Sequence, residues 1–362
     1  MKIAQVAPLW ESIPPPKYGG TERIVYYLTE GLVKKGHDVT LFASGDSQTS
    51  AKLVSVYPRP LFRDNIPWTN IMYPLLNITE VFDRQEQFDI IHIHLNKSSD
   101  YIALPMAVPI KKKVLFTFHF PYPIANNHKD RHTVLQKYKD LQYTSISNSQ
   151  RQGGENLNWI KTVYNGIDIN LYKVHENKGE YLLWLGKFNP DKGTKDAILT
   201  AKKLGMKIFL AGKIDELENA DSNYYHQEIK PLIDNKQVVP LGELCDKDKN
   251  KIYGDALAFL NPIKWNEPFG LVMAEAQASG TPVISYANGA APEIIKDGIN
   301  GFLVNESEGI DGLTKAVEKL RSLSDEEYIH MRQAARKNIE ENFSIKRMVN
   351  EYEKAYNQIL GS

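Results

Sequence analysis

Short apolar runs alternate with amphipathic stretches in two successive series along these 362 residues, and no other feature restricts the fold as much. A β-branched run, a stretch of 3.6-residue period and another such run close on themselves as strand, helix and parallel strand. The first series predicts strands over Lys2 to Ala7, Val39 to Ala43, Phe88 to His94, Val114 to Phe118 and Tyr143 to Ser147. Its helices fall at Thr21 to Lys35, closed by Gly36, and at Asp100 to Ala107. The Pro- and Arg-containing segment Tyr57 to Asn70 reads as a loop or insertion before a helix ending near Arg84. The second series opens at Tyr181 to Gly186. It continues through a helix over Thr194 to Leu204, the strand Lys207 to Ala211, a helix over Tyr224 to Ile233 and the strand Ala256 to Leu260. The turn-like Val163 to Asp168 and the polar run Lys173 to Glu180 separate the two series. Beyond Gly301 to Val304 the pattern is helical, ending in a helix over Ser344 to Leu360. The expectation is α/β: two Rossmann-like, doubly wound parallel-sheet domains, residues 1–165 and 166–343, facing across a cleft, with 344–362 as a terminal helix.

Charge excludes some partners. Lys and Arg together number 44, as do Asp and Glu, so there is no bias towards nucleic acid. No apolar run approaches the roughly 20 residues of a spanning helix. Met1-Lys2 leads directly into a strand, and the single Cys245 has no intrachain partner. Both point to a reducing, cytoplasmic setting. Lys111-Lys112-Lys113 reads as a solvated loop and leaves peripheral contact with the inner face of an anionic membrane open.

The richest stretch runs from Asn266 to Ser285. Glu267 precedes Pro268-Phe269-Gly270, a short apolar helix carries Glu275, Gly280 stops it, and a β-branched run follows Pro282. Eight helical steps would set the two carboxylates about 12 Å apart and roughly 80° around the axis. A carboxylate pair sharing one bond-breaking event lies within about 5 to 10 Å. The spacing suits two ends of an elongated ligand. A dipole-favoured acid and an exposed helix residue is the plainer alternative.

Two glycine-bearing loops fall at predicted strand ends. Tyr18-Gly19-Gly20-Thr21-Glu22 precedes a helix, where bare amides can hold an anion; an ordinary turn with Thr21 as N-cap is the alternative. Gly186-Lys187-Phe188-Asn189-Pro190-Asp191-Lys192-Gly193 places two cations around a strand end and a helix start, an arrangement suited to diphosphate, or else two solvated lysines. There is no GxGxxG and no GxxxxGK[ST], so no dinucleotide cofactor or P-loop is signalled. His92 and His94 share one strand face without a nearby group to complete a metal site. His119 stands at another strand end, placed for a polar ligand or for a structural hydrogen bond.

The segment Glu267 to Glu275 resembles the E-x7-E element of glycosyltransferase family 4, the retaining nucleotide-sugar transferases of GT-B fold. Asp89 to His94, Thr117-Phe118-His119, Tyr164-Asn165-Gly166-Ile167-Asp168, Gly186 to Gly193, and Gly289 to Ile295 with Asp297 to Gly301 agree in order and position. The resemblance implies that Lys187 and Lys192 hold a diphosphate, Glu275 the ribose hydroxyls and Glu267 the donor hexose. It implies further that Phe269, Gly270 and Leu271 support sugar or phosphate through their amides, that Gly19 and Gly20 with Gly186 allow close backbone approach, and that His119 contacts the sugar. Lys187 stands where most members have Arg, keeping charge but losing the bidentate fork. The implied reaction is metal-independent, front-face transfer of a hexose, UDP-glucose being the family-weighted donor, to an unidentified hydroxyl acceptor: a saccharide, a lipid-linked acceptor or a small molecule. No cofactor is implied. The terminal helix would cross back onto the first domain. A phosphorylase or sugar-nucleotide epimerase on the same fold, and a non-catalytic nucleotide- or glycan-binding protein, remain alternatives.

Overall fold

The computed structural model describes residues 1–16, 19–124, 128–175, 177–214 and 219–361; Tyr18 of the first glycine loop lies outside them. The chain forms two compact units, Met1–Gly166 with Ile345–Ser362, and Ile167–Ser344.

The first unit holds a seven-stranded parallel sheet built from β1 (Lys2–Val6), β2 (Asp38–Phe42), β3 (Lys52–Val54), β4 (Ile90–Leu95), β5 (Val114–Phe118), β6 (Gln142–Ser145) and β7 (Trp159–Thr162), in the order β3-β2-β1-β4-β5-β6-β7. Every residue of β4 and β5 is buried, as expected for central strands covered on both faces. Ile91, Ile93, Leu95, Val114, Phe116 and Phe118 of these strands, with Val6, Phe42 and Tyr143, lie in the main core. Strand order reverses between β1 and β4, so the carboxyl ends of these strands flank the position where ligands enter such sheets.

The terminal helix Ile345–Leu360 belongs to this first unit. Met348, Val349, Tyr352, Ala355 and Tyr356 form its buried stripe at helical spacing. Gly31 permits the contact, since a Cβ there would lie 2.4 Å from Val349 Cγ2. At the rim Lys35 Nζ donates to Asn350 Oδ1 at 2.8 Å, and His37 Nε2 meets Glu353 at 2.9 Å.

Helix Gly20–Lys34 starts one residue before the expected point. Its N-cap is Gly19 with no side-chain cap, so Thr21 lies inside the first turn and is not the cap. Glu22, also in that turn, is buried, and burial pushes its carboxyl up to about 7. Burial likewise raises Asp100 to about 6 against the pull of the Lys97 and Asn96 amides. Between about pH 4.5 and 7 the folded chain keeps a proton on Glu22 that the unfolded chain gives up. Its contribution is therefore full below pH 4.5 and lost as pH rises through about 7, a change of about 3 kcal/mol. Glu22→Gln removes that dependence. Urea unfolding at pH 5 and pH 8 is expected to show the variant gaining on the parent as pH rises; a gap that does not change with pH refutes the assignment.

The second unit holds a six-stranded parallel sheet of β8 (Tyr181–Lys187), β9 (Ile208–Lys213), β10 (Val238–Gly242), β11 (Ala256–Asn261), β12 (Val283–Tyr286) and β13 (Gly301–Val304), in the order β10-β9-β8-β11-β12-β13. Leu182, Trp184, Ile198, Leu210, Leu260, Ile284 and Leu313 lie in its core. Here the order reverses between β8 and β11.

Several elements differ from the sequence expectation. The helix over Asp100 to Ala107 is a 3-10 turn, Ser98–Ile102, followed by one α-turn, Ala103–Ala107, because Asp100 accepts the amides of Asn96 and Lys97 at 2.7 Å. The helix over Tyr224 to Ile233 is α only at Asn219–Tyr224; it widens into a π-turn at Tyr225–Ile229, where Pro231 removes a donor from the next turn. Strands β3, β7 and β10 were not expected. All three are sheet edges, short and incompletely buried, and β10 contains Pro240. The polar helices Lys129–Lys137 and Asp246–Gly254 also carry too little apolar period to be read from sequence.

Candidate functional site

The richest site lies in the second unit, at the carboxyl ends of β8 and β11, where its sheet order reverses. Lys187 is the last residue of β8, and Gly186 precedes it within the strand. The chain then makes a 3-10 turn, Pro190–Lys192, capped by the Asn189 side chain, which accepts the Lys192 amide at 3.1 Å. Lys192 therefore sits before the helix Thr194–Leu204 and not within its first turn. The Trp184 indole donates to the Lys192 carbonyl at 3.1 Å, and the Lys264 amide donates to the Asp191 carbonyl at 2.8 Å. These bonds tie the lysine loop to the strand below it and to the segment after β11.

That segment carries Glu267. Its carboxylate forms an ion pair with Lys192 Nζ, and the Trp265 indole donates to the same carboxylate at 2.9 Å. The Trp265 ring lies 4.7 Å from Lys192 Nζ, so the ammonium rests between a carboxylate and an aromatic face. Both charged side chains are mostly shielded, at 20% and 12% exposure, which strengthens their attraction relative to a surface pair. Gly289 holds the glutamate backbone from the far side. It has φ 55°, and a Cβ there would fall 2.4 Å from the Glu267 amide nitrogen and carbonyl oxygen. The Ala290 amide donates to the Glu267 carbonyl at 2.9 Å. The loop at Gly289 thus acts as a template for the turn that presents Glu267.

Phe269 is buried against Phe343, with ring centroids 5.6 Å apart. Gly270 is the N-cap of the helix Leu271–Ala278, in the left-handed region at φ 85°, and no side chain caps that end. The Met273 amide donates to the Gly270 carbonyl at 3.0 Å, and at the helix start before it, from Leu271, the dipole favours an anion. Glu275 lies one turn inside this helix and is buried. Lys249 Nζ meets both of its oxygens at 3.2 Å, and the Tyr253 hydroxyl donates to it at 3.4 Å. Burial, then the charge of Glu275, pushes the Tyr253 phenol well above its ordinary value.

The sequence reading assigns Lys187 and Lys192 to one diphosphate. The structure gives each a different carboxylate. Lys187 Nζ lies 2.6 Å from Asp221, at 23% and 14% exposure, whereas Lys192 takes Glu267. Lys192 and Glu267 come together beside Gly270, the N-cap of the helix, whereas Glu275 is paired with Lys249. Asp221, Lys249, Tyr253 and Trp265 were not singled out from sequence. Trp265 offered a signal, an indole two residues before an acid in a turn. Lys249, in the charged run Asp246 to Lys251, looks like any solvated face.

His119 belongs to the first unit and follows β5. It is half-buried, burial pulls its imidazole down to about 3, and Nε2 lies 2.8 Å from His94 Nδ1. All four ring nitrogens of His92 and His94 are engaged, with Tyr356, Thr117, Gln5 and His119, which leaves none for a metal ion. Gly19 and Gly20 stand at the start of the first helix of this unit.

Comparison with known proteins bears on the family and the fold. The family description "Glycosyltransferase Family 4" matches residues 18–171, and "Glycosyl transferases group 1" matches residues 172–338. The N-acetyl-alpha-D-glucosaminyl L-malate synthase of Bacillus anthracis is 25% identical over 95% of this chain and 95% of its own. Among solved structures, the sucrose-phosphate synthase of Thermosynechococcus elongatus superposes with a TM-score of 0.79 at 16% identity, covering 99% of both chains. Anabaena HepE, solved with UDP and glucose, gives 0.73 at 18% identity over 98% of both. No helix among the described residues is long and apolar enough to cross a membrane. Two Rossmann-like parallel sheets, two family descriptions that together run from residue 18 to 338, and relatives aligned over nearly their whole length establish that this chain belongs to the family 4 glycosyltransferases of GT-B fold.

Proposed function

We propose that this glycosyltransferase moves a hexose from a nucleoside-diphosphate sugar of the UDP-glucose type to an acceptor hydroxyl, with retention of anomeric configuration and without a metal ion. The observation that carries this reading is the shielded Lys192–Glu267 pair beside the uncapped start of helix Leu271–Ala278. It offers one cation and a set of amides to a diphosphate, and one carboxylate to sugar hydroxyls. HepE, similar in fold, is solved with UDP and glucose, which supports a donor of that kind.

In this reading Lys192, the backbone amides of Phe269, Gly270 and Leu271, and Lys187 after release from Asp221 stabilise the departing diphosphate. Glu267 accepts from the hexose and Glu275 from the ribose. The bond from C1 to the phosphate oxygen breaks with oxocarbenium character. The acceptor oxygen then bonds to C1 from the same face, and its proton passes to the departing phosphate. Gly19, Gly20 and His119 are the ligand-contact candidates of the first unit.

The test is release of nucleoside diphosphate from a panel of nucleotide sugars in the presence of EDTA, with and without acceptors. L-Malate, present in the name of the Bacillus relative, heads the acceptor panel. An α-configured product from an α-configured donor, insensitive to EDTA, is expected. A β-configured product, loss of turnover on chelation, or turnover only with inorganic phosphate overturns the reading.

A further inference from the structure

The central sheet of the first unit carries a row of polar side chains on one face. Gln5 pairs in register with His92, His94 with Thr117, and Thr117 with Thr144, so these residues of β1, β4, β5 and β6 look the same way. All five are buried. Tyr352 and Tyr356, one turn apart on the terminal helix Ile345–Leu360, cover them. A buried polar row of this kind is stable only if each donor finds an acceptor, and that requirement fixes where the protons are.

The direction of the chain is set at its inner end. The Phe116 backbone carbonyl can only accept, and the Thr144 hydroxyl donates to it at 3.4 Å. Thr144 then accepts from Thr117. With its one proton used, Thr117 must accept from its remaining partners, the Tyr352 hydroxyl at 3.2 Å and His92 Nε2 at 2.7 Å. His92 therefore carries its proton on Nε2, and its Nδ1 accepts from the Tyr356 hydroxyl at 2.7 Å. The Tyr356 oxygen accepts from Gln5 Nε2 at 2.9 Å, and Gln5 Oε1 accepts from His94 Nε2 at 2.9 Å. His94 Nδ1 is then an acceptor, and the partner 2.8 Å away, His119 Nε2, must donate. Every link has one donor and one acceptor.

We infer that this relay, running from the Phe116 carbonyl through Tyr356 of the terminal helix, holds His119 in the Nε2–H tautomer so that its Nδ1 lone pair receives a hydroxyl-bearing ligand and not an anion. Nδ1 has no partner among the described residues, and His119 is half-buried at the end of β5. The low basicity that burial gives the ring keeps it neutral. A lone pair repels phosphate and accepts from a sugar hydroxyl. Gln5, His94, His92 and Tyr356 are positioning residues acting through His119. The identification of the ligand as a sugar rests on the proposed donor; the tautomer does not.

Nitrogen-15 NMR of the full chain, with labelled histidine at pH 7.5, tests this directly. His92, His94 and His119 are all expected to show a protonated Nε2 and a bare Nδ1. Gln5→Leu and Tyr356→Phe each cut the relay between His92 and His94. In both variants His92, still anchored by Thr117, keeps its protonated Nε2 signal, whereas His119 is expected to lose its single tautomer and populate both. Should one variant fail to fold, the other carries the same expectation, and an unchanged Nε2–H signal of His92 reports the fold. A His119 that is protonated on Nδ1 in the parent, or unchanged in a folded variant, overturns the inference. In a separate arm the nucleotide sugar that turns over is expected to shift the Nδ1 signal of His119 through a hydrogen bond, and inorganic phosphate to leave it in place. A phosphate response overturns the acceptor role. Silence towards the sugar with the tautomer intact refutes the donor assignment of His119 alone.

Discussion

Glu267→Gln is expected to lower turnover by about 10²-fold or more while leaving nucleoside diphosphate affinity unchanged or somewhat improved. The side chain keeps its shape, so the Trp265 indole still finds an oxygen to donate to. What disappears is the charge that holds Lys192 Nζ in the ion pair. Lys192 is then released towards a phosphate, which favours ground-state binding of the diphosphate. The hexose loses a charged hydrogen-bond acceptor that fixes the ring for transfer, and the loss falls on the transition state. Kinetics with the nucleotide sugar, beside calorimetric titration with the nucleoside diphosphate, separate the two effects. Equal losses in affinity and turnover would mean that Glu267 serves only to place the nucleotide, and unchanged turnover would remove it from the site.

Glu275→Ala has the opposite signature. Donor KM is expected to rise about tenfold or more with kcat little changed, because the ribose is remote from the bond being broken. Stability falls as well. The Glu275 and Lys249 side chains are 6% and 13% exposed, and deleting the carboxylate takes the counter-charge from a shielded ammonium and the acceptor from the Tyr253 hydroxyl. Breaking such a pair costs about 3 kcal/mol or more. The double replacement Glu275→Gln with Lys249→Met removes both charges and is expected to regain most of that stability without regaining donor affinity. A double variant that regains both would show Glu275 to be a structural ion-pair partner and nothing more.

Much of the frame was legible in the sequence because it is written locally. The central strands of both sheets, such as Val114–Phe118 and Ala256–Asn261, are buried on both faces and read as continuous apolar runs. The edge strands Lys52–Val54, Trp159–Thr162 and Val238–Gly242 are not legible, for the complementary reason. One side of an edge strand meets solvent, so its residues need no hydrophobic pattern. Glu267, Gly270 and Glu275 stood out through spacing and turn chemistry, although the loop at Gly289 that templates the Glu267 backbone is distant in sequence. The partners of those residues were not legible. Asp221 and Lys249 lie in polar segments whose composition suits any solvated surface.

The sequence alone determined the alternation of strand and helix, the division into two parallel sheets and the glycine-bearing loops at strand ends, because hydrophobic period and turn propensity act over a few residues. Only the tertiary structure decided which charges neutralise one another and which way each buried hydroxyl points. Lys192 reaches Glu267 across 75 positions, Lys249 reaches Glu275 across 26, and Tyr356 reaches His92 across 264. Such pairings depend on strand order and on where a terminal helix docks. The penalty for burying a polar group without a partner then selects a single arrangement. No local pattern of residues carries that information.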